Sequence, residues 1–141
     1  MPNVPLTISL TIDDAPMVLP DCSRIPTAEP DWSAMDAIRE GLQRLSVPHC
    51  VAFVIGVAAE RNPGPLERWL EAGYELGNHT HDHVPAREVE QSSFLASVER
   101  CHALLDRLGA FARGRTKWFR FPLLSYGADG AVSGSTARRA C

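Results

Sequence analysis

Apolar and polar residues alternate strictly from Leu6 to Ile12, which is the period of a strand with one buried face. A proline-rich loop follows, carrying Pro16, Pro20, Pro26 and Pro30. Met35, Ile38, Leu42 and Leu45 then recur at helical spacing, with Asp31 or Ser33 placed to cap that helix. Cys50 to Ile55 is a continuous apolar run closed by Gly56 and reads as a buried strand. Asn62-Pro63 has the form of a cap and first-turn proline; the helix it opens carries Leu66, Trp69 and Leu70 and stops at Gly73. Tyr74 to Leu76 makes a short strand ending at Gly77-Asn78. From about Ala86 a longer helix sets Leu95, Val98, Cys101 or His102, Leu105 and Leu108 on one face, ending at Gly109. Lys117 to Phe121 reads as a fourth strand. The order βαβαβαβ predicts an α/β fold with a parallel sheet and right-handed crossovers. The stretch Gly127 to Cys141 is small and polar, with Val132 its one branched apolar residue. It is expected to be a loose tail, leaving residues 1–126 as the folded domain.

Composition adds limits. A chain of 141 residues that is 45% hydrophobic has the size and apolar content of one domain with a core. A formal net charge of −3, with both signs mixed along the chain, gives no footprint for nucleic acid and no argument for a membrane surface. No apolar run approaches the roughly 20 residues that span a bilayer. Met1 to Leu10 shows neither a basic leader nor a cleavage site, so no signal peptide is expected and the cytoplasm is the expected location. Cys22, Cys50, Cys101 and Cys141 lie far apart without a Cys-x-x-Cys pair, which argues against a thiolate metal site.

Chemistry-bearing residues gather where ligands collect in such folds, at the C-terminal ends of strands. Asp13-Asp14 closes the first predicted strand, His79-Thr80-His81-Asp82-His83 closes the third, and Arg120 lies at the end of the fourth. Adjacent carboxylates alone are most often a solvated turn. Because successive side chains point different ways, one can also bind a cation while its neighbour accepts a proton. The histidine cluster is more specific: neutral imidazole is the commonest metal ligand, and two histidines with one carboxylate leave coordination positions open. His49 and His102 lack such company and are read as surface or packing residues. A metallo-β-lactamase signature, HxHxDH, is one spacer longer than His79 to His83 and leaves Asp13-Asp14 unexplained. A His-Asp phosphohydrolase would place His81-Asp82 in a helical protein, whereas here the pair follows a strand.

Thr11-Ile12-Asp13-Asp14-Ala15-Pro16 resembles the TFDDGP motif of the polysaccharide deacetylases, the NodB-homology domains of carbohydrate esterase family four. Gly77 to His83 is similar to their GNH[ST]xxH motif, and Arg120-Phe121-Pro122 to the start of their RxPY motif. The likeness runs from about Pro5 to Pro122 with the motifs in order. It implies an incomplete, irregular (β/α) barrel with about four parallel strands, and hydrolysis of an N-acetyl group on a carbohydrate, or another acyl amide, to a free amine and acetate. It implies Asp13 as catalytic base, Asp14, His79 and His83 as ligands of one divalent metal ion, and Arg120 as partner of Asp13. Thr80 would orient the loop, and a backbone N–H near Leu123 would stabilise an oxyanion. Zinc is the expected ion, and cobalt, nickel or iron would accept the same ligands. His81 is expected to point away, and the Arg120 fork to grip Asp13 in two-point geometry. Ala15 and Leu123 replace the family's usual glycine and tyrosine. The later Asp-Trp and LxH motifs, the second of which supplies the general acid, have no counterpart after Pro122. The alternative implied is a catalytically impaired metal- or glycan-binding form of the same fold.

Overall fold

The computed structural model describes residues 8–16 and 31–125. The expected tail, 127–141, and the start of the first predicted strand lie outside them. Four strands, β1 (Thr11–Ala15), β2 (Val51–Val54), β3 (Glu75–Asn78) and β4 (Trp118–Phe119), form one sheet. Their order is β1-β2-β3-β4 and every neighbouring pair is parallel. Consecutive parallel neighbours joined by helices are the arrangement of a (β/α) barrel segment. Helix α1 (Ser33–Arg44) joins β1 to β2, α2 (Gly56–Arg61) and α3 (Gly64–Glu71) join β2 to β3, and α4 (Gln91–Arg107) joins β3 to β4.

β2 is paired on both sides within the sheet and is apolar on both faces rather than alternating, the pattern of a strand covered on both faces. Ala52, Phe53 and Val54 are all buried, and the core continues through Leu66 and Trp69 of α3, Leu76 of β3 and Leu105 of α4. Burying each such leucine contributes roughly 1.5–3 kcal/mol. Polar handles inside the core are satisfied: the Trp69 indole N–H donates to the Glu75 carbonyl at 3.0 Å. Burial alone pushes the Cys50 thiol up to about 11, and burial is the main cause that takes Cys101 up to about 12, so both stay protonated and inert. Among the described residues no helix is long and apolar enough to cross a membrane.

Several boundaries differ from the sequence pattern, each for a tertiary reason. The first strand is expected over 6–12 but runs over Thr11–Ala15, because its ladder begins where β2 begins, with Thr11 opposite Val51. Asp13 and Asp14 therefore lie inside the strand instead of after it. Helix α2 goes unforeseen; its buried Gly56, Ala58 and Ala59 are too few to show a helical period. The α1 stripe buries only Met35 and Leu42, while Leu45 lies past the last helical residue and is exposed. The cap position of α1 is Trp32, not Asp31 or Ser33; Asp31, one residue earlier, accepts from the Ser33 N–H at 3.0 Å. In α3 the cap position is Pro63 and not Asn62, and the helix starts at Gly64, whose N–H donates to the Asn62 side chain at 3.3 Å. The helix expected from Ala86 is a single 3-10 turn, Ala86–Glu88, before α4 begins at Gln91. β4 is two residues long because it pairs only with Gly77 and Asn78.

Candidate metal centre

The carboxylate pair is shaped by a break in register. Ile12 pairs with Ala52 and Ala15 with Val54, so two residues of β1 intervene where β2 supplies one, and those two are Asp13 and Asp14. Such a bulge re-aims side chains. Asp14 takes φ 63°, the left-handed region, which turns its carboxylate towards β3.

The histidine loop is wound by its own polar residues. Asn78, the last residue of β3, accepts from the Thr80 N–H at 2.8 Å and donates to the Val98 carbonyl of α4 at 2.8 Å. The Thr80 hydroxyl accepts from the His83 N–H at 3.1 Å, closing a turn in which Thr80 and His83 both have positive φ. This brings His79 and His83 side by side, ring centroids 5.0 Å apart. Their Nε2 atoms lie 3.4 Å and 3.0 Å from Asp14 Oδ1. One donor atom from each of Asp14, His79 and His83 falls within 4.8 Å of the others, the one such convergence among the described residues. His81 points away, towards Glu60 and Asp82.

Hydrogen-bond logic says what this arrangement wants. His79 Nδ1 lies 2.9 Å from the Arg120 carbonyl, which can only accept, so Nδ1 carries the proton. In the neutral ring Nε2 is then a bare lone pair facing a carboxylate oxygen. Asp14 Oδ1, the atom both Nε2 atoms face, is buried without an aligned hydrogen-bond partner. Converging acceptors of this kind call for a cation, and a carbonyl behind a histidine is the usual way of orienting a metal ligand. Burial pulls the Asp14 carboxyl upward, but in the metal-free chain the His79 and His83 rings, when each carries a proton on the nitrogen facing it, outweigh burial and hold the group well below its ordinary range. The residues present fit a divalent ion in number, chemistry and burial.

Arg120 approaches Asp13, with Nη1 to Oδ1 at 2.6 Å, and it does so through one nitrogen instead of the expected two-point grip. The same Nη1 donates to the Thr11 hydroxyl at 3.0 Å, and the guanidinium lies over the Phe53 ring with Cζ 4.2 Å from its centroid. Thr11 and Phe53 are positions that sequence reasoning did not find; Phe53 reads there as one residue of an apolar run. His49 is exposed just before β2, at the opposite end of the sheet, and His102 stacks on Phe111 at 4.6 Å.

Phe53 is packed against Gly77 so closely that a Cβ there would lie 2.6 Å from the ring. Gly77→Ala is therefore expected to destabilise the fold by roughly 1–3 kcal/mol and to loosen Arg120 from above. Urea unfolding reads the first effect, and an unchanged midpoint would contradict it.

The family model described as polysaccharide deacetylase matches residues 3–134. A peptidoglycan-N-acetylglucosamine deacetylase of Bacillus cereus is 28% identical over 124 residues, covering 88% of this chain and 46% of that protein. Among solved structures, a family 4 carbohydrate esterase from Streptomyces lividans in complex with acetate superposes with a TM-score of 0.65 at 20% identity, covering 83% of this chain and 51% of that one. A family 4 pseudoenzyme from Bacillus anthracis superposes with a TM-score of 0.64 at 19% identity, covering 84% and 36%. The chain thus spans less than half the length of the curated relatives it matches.

Proposed function

This chain belongs to the polysaccharide deacetylase family, and from that premise we propose that it is a metal-dependent hydrolase removing N-acetyl groups from a carbohydrate. The observation that carries the reading is the convergence of Asp14, His79 and His83 with the Arg120 carbonyl fixing the His79 tautomer. The match to a relative named for N-acetylglucosamine in peptidoglycan supports a glycan amide as the substrate. Asp14, His79 and His83 would hold the ion, zinc by preference among the metals that accept such ligands. When bound, a divalent cation supplies Lewis-acid polarisation of the acyl oxygen and acidifies water.

The chain's own residues do the rest. Asp13, 37% exposed in its side chain, faces solvent at the rim and takes the proton of the water that attacks the acyl carbon. Arg120, braced by Thr11 and Phe53, holds that carboxylate in place. The turn at Leu123, with φ 51°, offers the backbone from which a donor would meet the developing oxyanion. The bond that forms is from the water oxygen to the acyl carbon and the bond that breaks is the acyl C–N bond; the proton taken by Asp13 passes to the leaving nitrogen, giving acetate and a free amine.

A second reading, metal or glycan binding with impaired catalysis, is favoured by one observation. Among the described residues His49, His81 and His102 all lie away from the point where Asp14, His79 and His83 meet, so none of them stands there as a general acid. The test is metal analysis of the purified chain together with acetate release from chitin oligomers. Bound metal with release supports the hydrolase; bound metal without it supports the second reading; no bound metal sinks the metal-dependent hydrolase.

A further inference from the structure

The loop that carries His79 and His83 is held from outside by one hydroxyl group. Ser97, in the middle of α4, accepts from the His81 N–H at 3.0 Å and from the Asp82 N–H at 3.1 Å, so both lone pairs of its Oγ are used. The two N–H groups belong to consecutive peptide planes, and the carbonyls of those planes are held as well. The Gly56 N–H donates to the Thr80 carbonyl and the Val57 N–H to the His81 carbonyl, both at 3.0 Å. Each plane is thus gripped by α2 at one end and by α4 at the other. The α2 side leaves no slack, because a Cβ on Gly56 would lie 2.7 Å from His81 Cδ2.

The two grips of Ser97 are not equivalent. The His81 N–H is also 3.1 Å from the Ser97 backbone carbonyl, so the Thr80-His81 plane keeps a partner on α4 without the hydroxyl. Among the described residues the Asp82 N–H bonds to the hydroxyl alone. The His81-Asp82 plane leads straight into His83, whose φ of 52° is a left-handed conformation kept only where the surrounding structure enforces it. His83 is the ligand on this side of the loop, with Nε2 3.0 Å from Asp14 Oδ1. The Thr80 hydroxyl also supports that conformation, accepting from the His83 N–H at 3.1 Å, but it belongs to the loop and moves with it. Ser97 ties the loop to a helix.

On the metal-centre reading above, which it deepens, we propose that Ser97 is a positioning residue for that centre. Its hydroxyl fixes the His81-Asp82 peptide plane and through it holds His83 against Asp14, although it touches no ligand. The support needs no charge on any histidine, since every bond in it joins a neutral N–H to a neutral hydroxyl or carbonyl oxygen. Groups that orient metal ligands typically alter affinity by about 10–100-fold, and Ser97 acts on the residue beside the ligand, which puts its effect at the low end.

The experiment is a cobalt(II) titration of the full chain at neutral pH, followed by visible absorption, beside Ser97→Ala, Ser97→Thr and Ser93→Ala. Ser97→Ala is expected to weaken cobalt binding by about tenfold and to change the shape of the visible band, because His83 no longer meets the ion at a fixed angle. Ser97→Thr keeps the hydroxyl and is expected to recover most of the affinity. Ser93→Ala removes an exposed hydroxyl one turn earlier on α4 and should bind cobalt as the unaltered chain does. The thermal midpoint of metal-free Ser97→Ala should hold, since alanine suits a helix interior better than serine and offsets the lost bond. Equal affinity in Ser97→Ala, a threonine variant no better than alanine, an equal loss in Ser93→Ala, or a metal-free midpoint that drops with the affinity would each overturn the proposal. Absence of cobalt binding by the unaltered chain would overturn the metal-centre reading itself, and this inference with it.

Discussion

Asp14→Ala is expected to abolish divalent-metal binding by the chain at micromolar concentrations, an effect beyond the 10–100-fold typical of outer partners. Asp14 supplies the single carboxylate of the three converging residues, and its Oδ1 is the atom nearest both imidazoles. Two neutral histidines would remain, without the anionic ligand that offsets the charge of the ion. His79→Ala and His83→Ala should have comparable consequences, whereas the buried His81 offers no atom to the same point. Equilibrium dialysis with zinc, read by elemental analysis, measures this directly. A variant retaining the metal at full affinity would show that the ion sits elsewhere.

The same substitution has a signature in the metal-free chain. The folded Asp14 carboxyl is held below its ordinary range, so its contribution to stability is present above the unfolded value, about 3.9. It is lost as the pH falls below that value, where the unfolded chain takes up the proton first. The stability difference between the unaltered chain and Asp14→Ala should accordingly shrink as the pH is lowered from about 4. A difference that grew on acidification would have the wrong sign.

The centre was legible in the sequence to an unusual degree for a local reason. His79 and His83 belong to one short loop, and the spacing of a loop survives translation into geometry when Asn78 and Thr80 wind it internally. Asp14 was legible only as half of a pair. Which carboxylate turns inward is decided by the register break between β1 and β2, and that depends on Val51–Val54 across the sheet, not on the sequence around Asp14. The alternating pattern before Thr11 carries the strand signal, yet pairing with β2 moves the strand onto the carboxylates themselves. Helix α2 and its Glu60 were invisible for the opposite reason. A six-residue helix has no measurable period, and its contact with His81 spans elements that only the sheet brings together. Arg120 was found by motif, but its support by Thr11 and Phe53 depends on strands far apart in the chain.

Asp13→Asn is expected to lower the rate of acetate release by roughly 10²–10⁴-fold while leaving metal binding intact, a loss of about 3–5 kcal/mol in transition-state stabilisation. The two neighbouring carboxylates face different partners, Asp14 the imidazoles and Asp13 the Arg120 guanidinium, so removing one charge need not disturb the other. Asparagine keeps the shape and the oxygen that Arg120 Nη1 grips, but it cannot take a proton from water. The loss should appear in kcat and hardly in KM, because in the proposed reaction Asp13 would act on the attacking water and not on the resting substrate. Arg120→Ala should give a smaller loss, since the carboxylate remains and only its bracing is gone. The measurement is kcat/KM on acetylated chitin oligomers with the metal content of each variant determined in parallel. A fall of less than tenfold in a fully metal-loaded Asp13→Asn chain would place the base on another residue. A fall accompanied by loss of metal would assign Asp13 to the ion instead of to the proton.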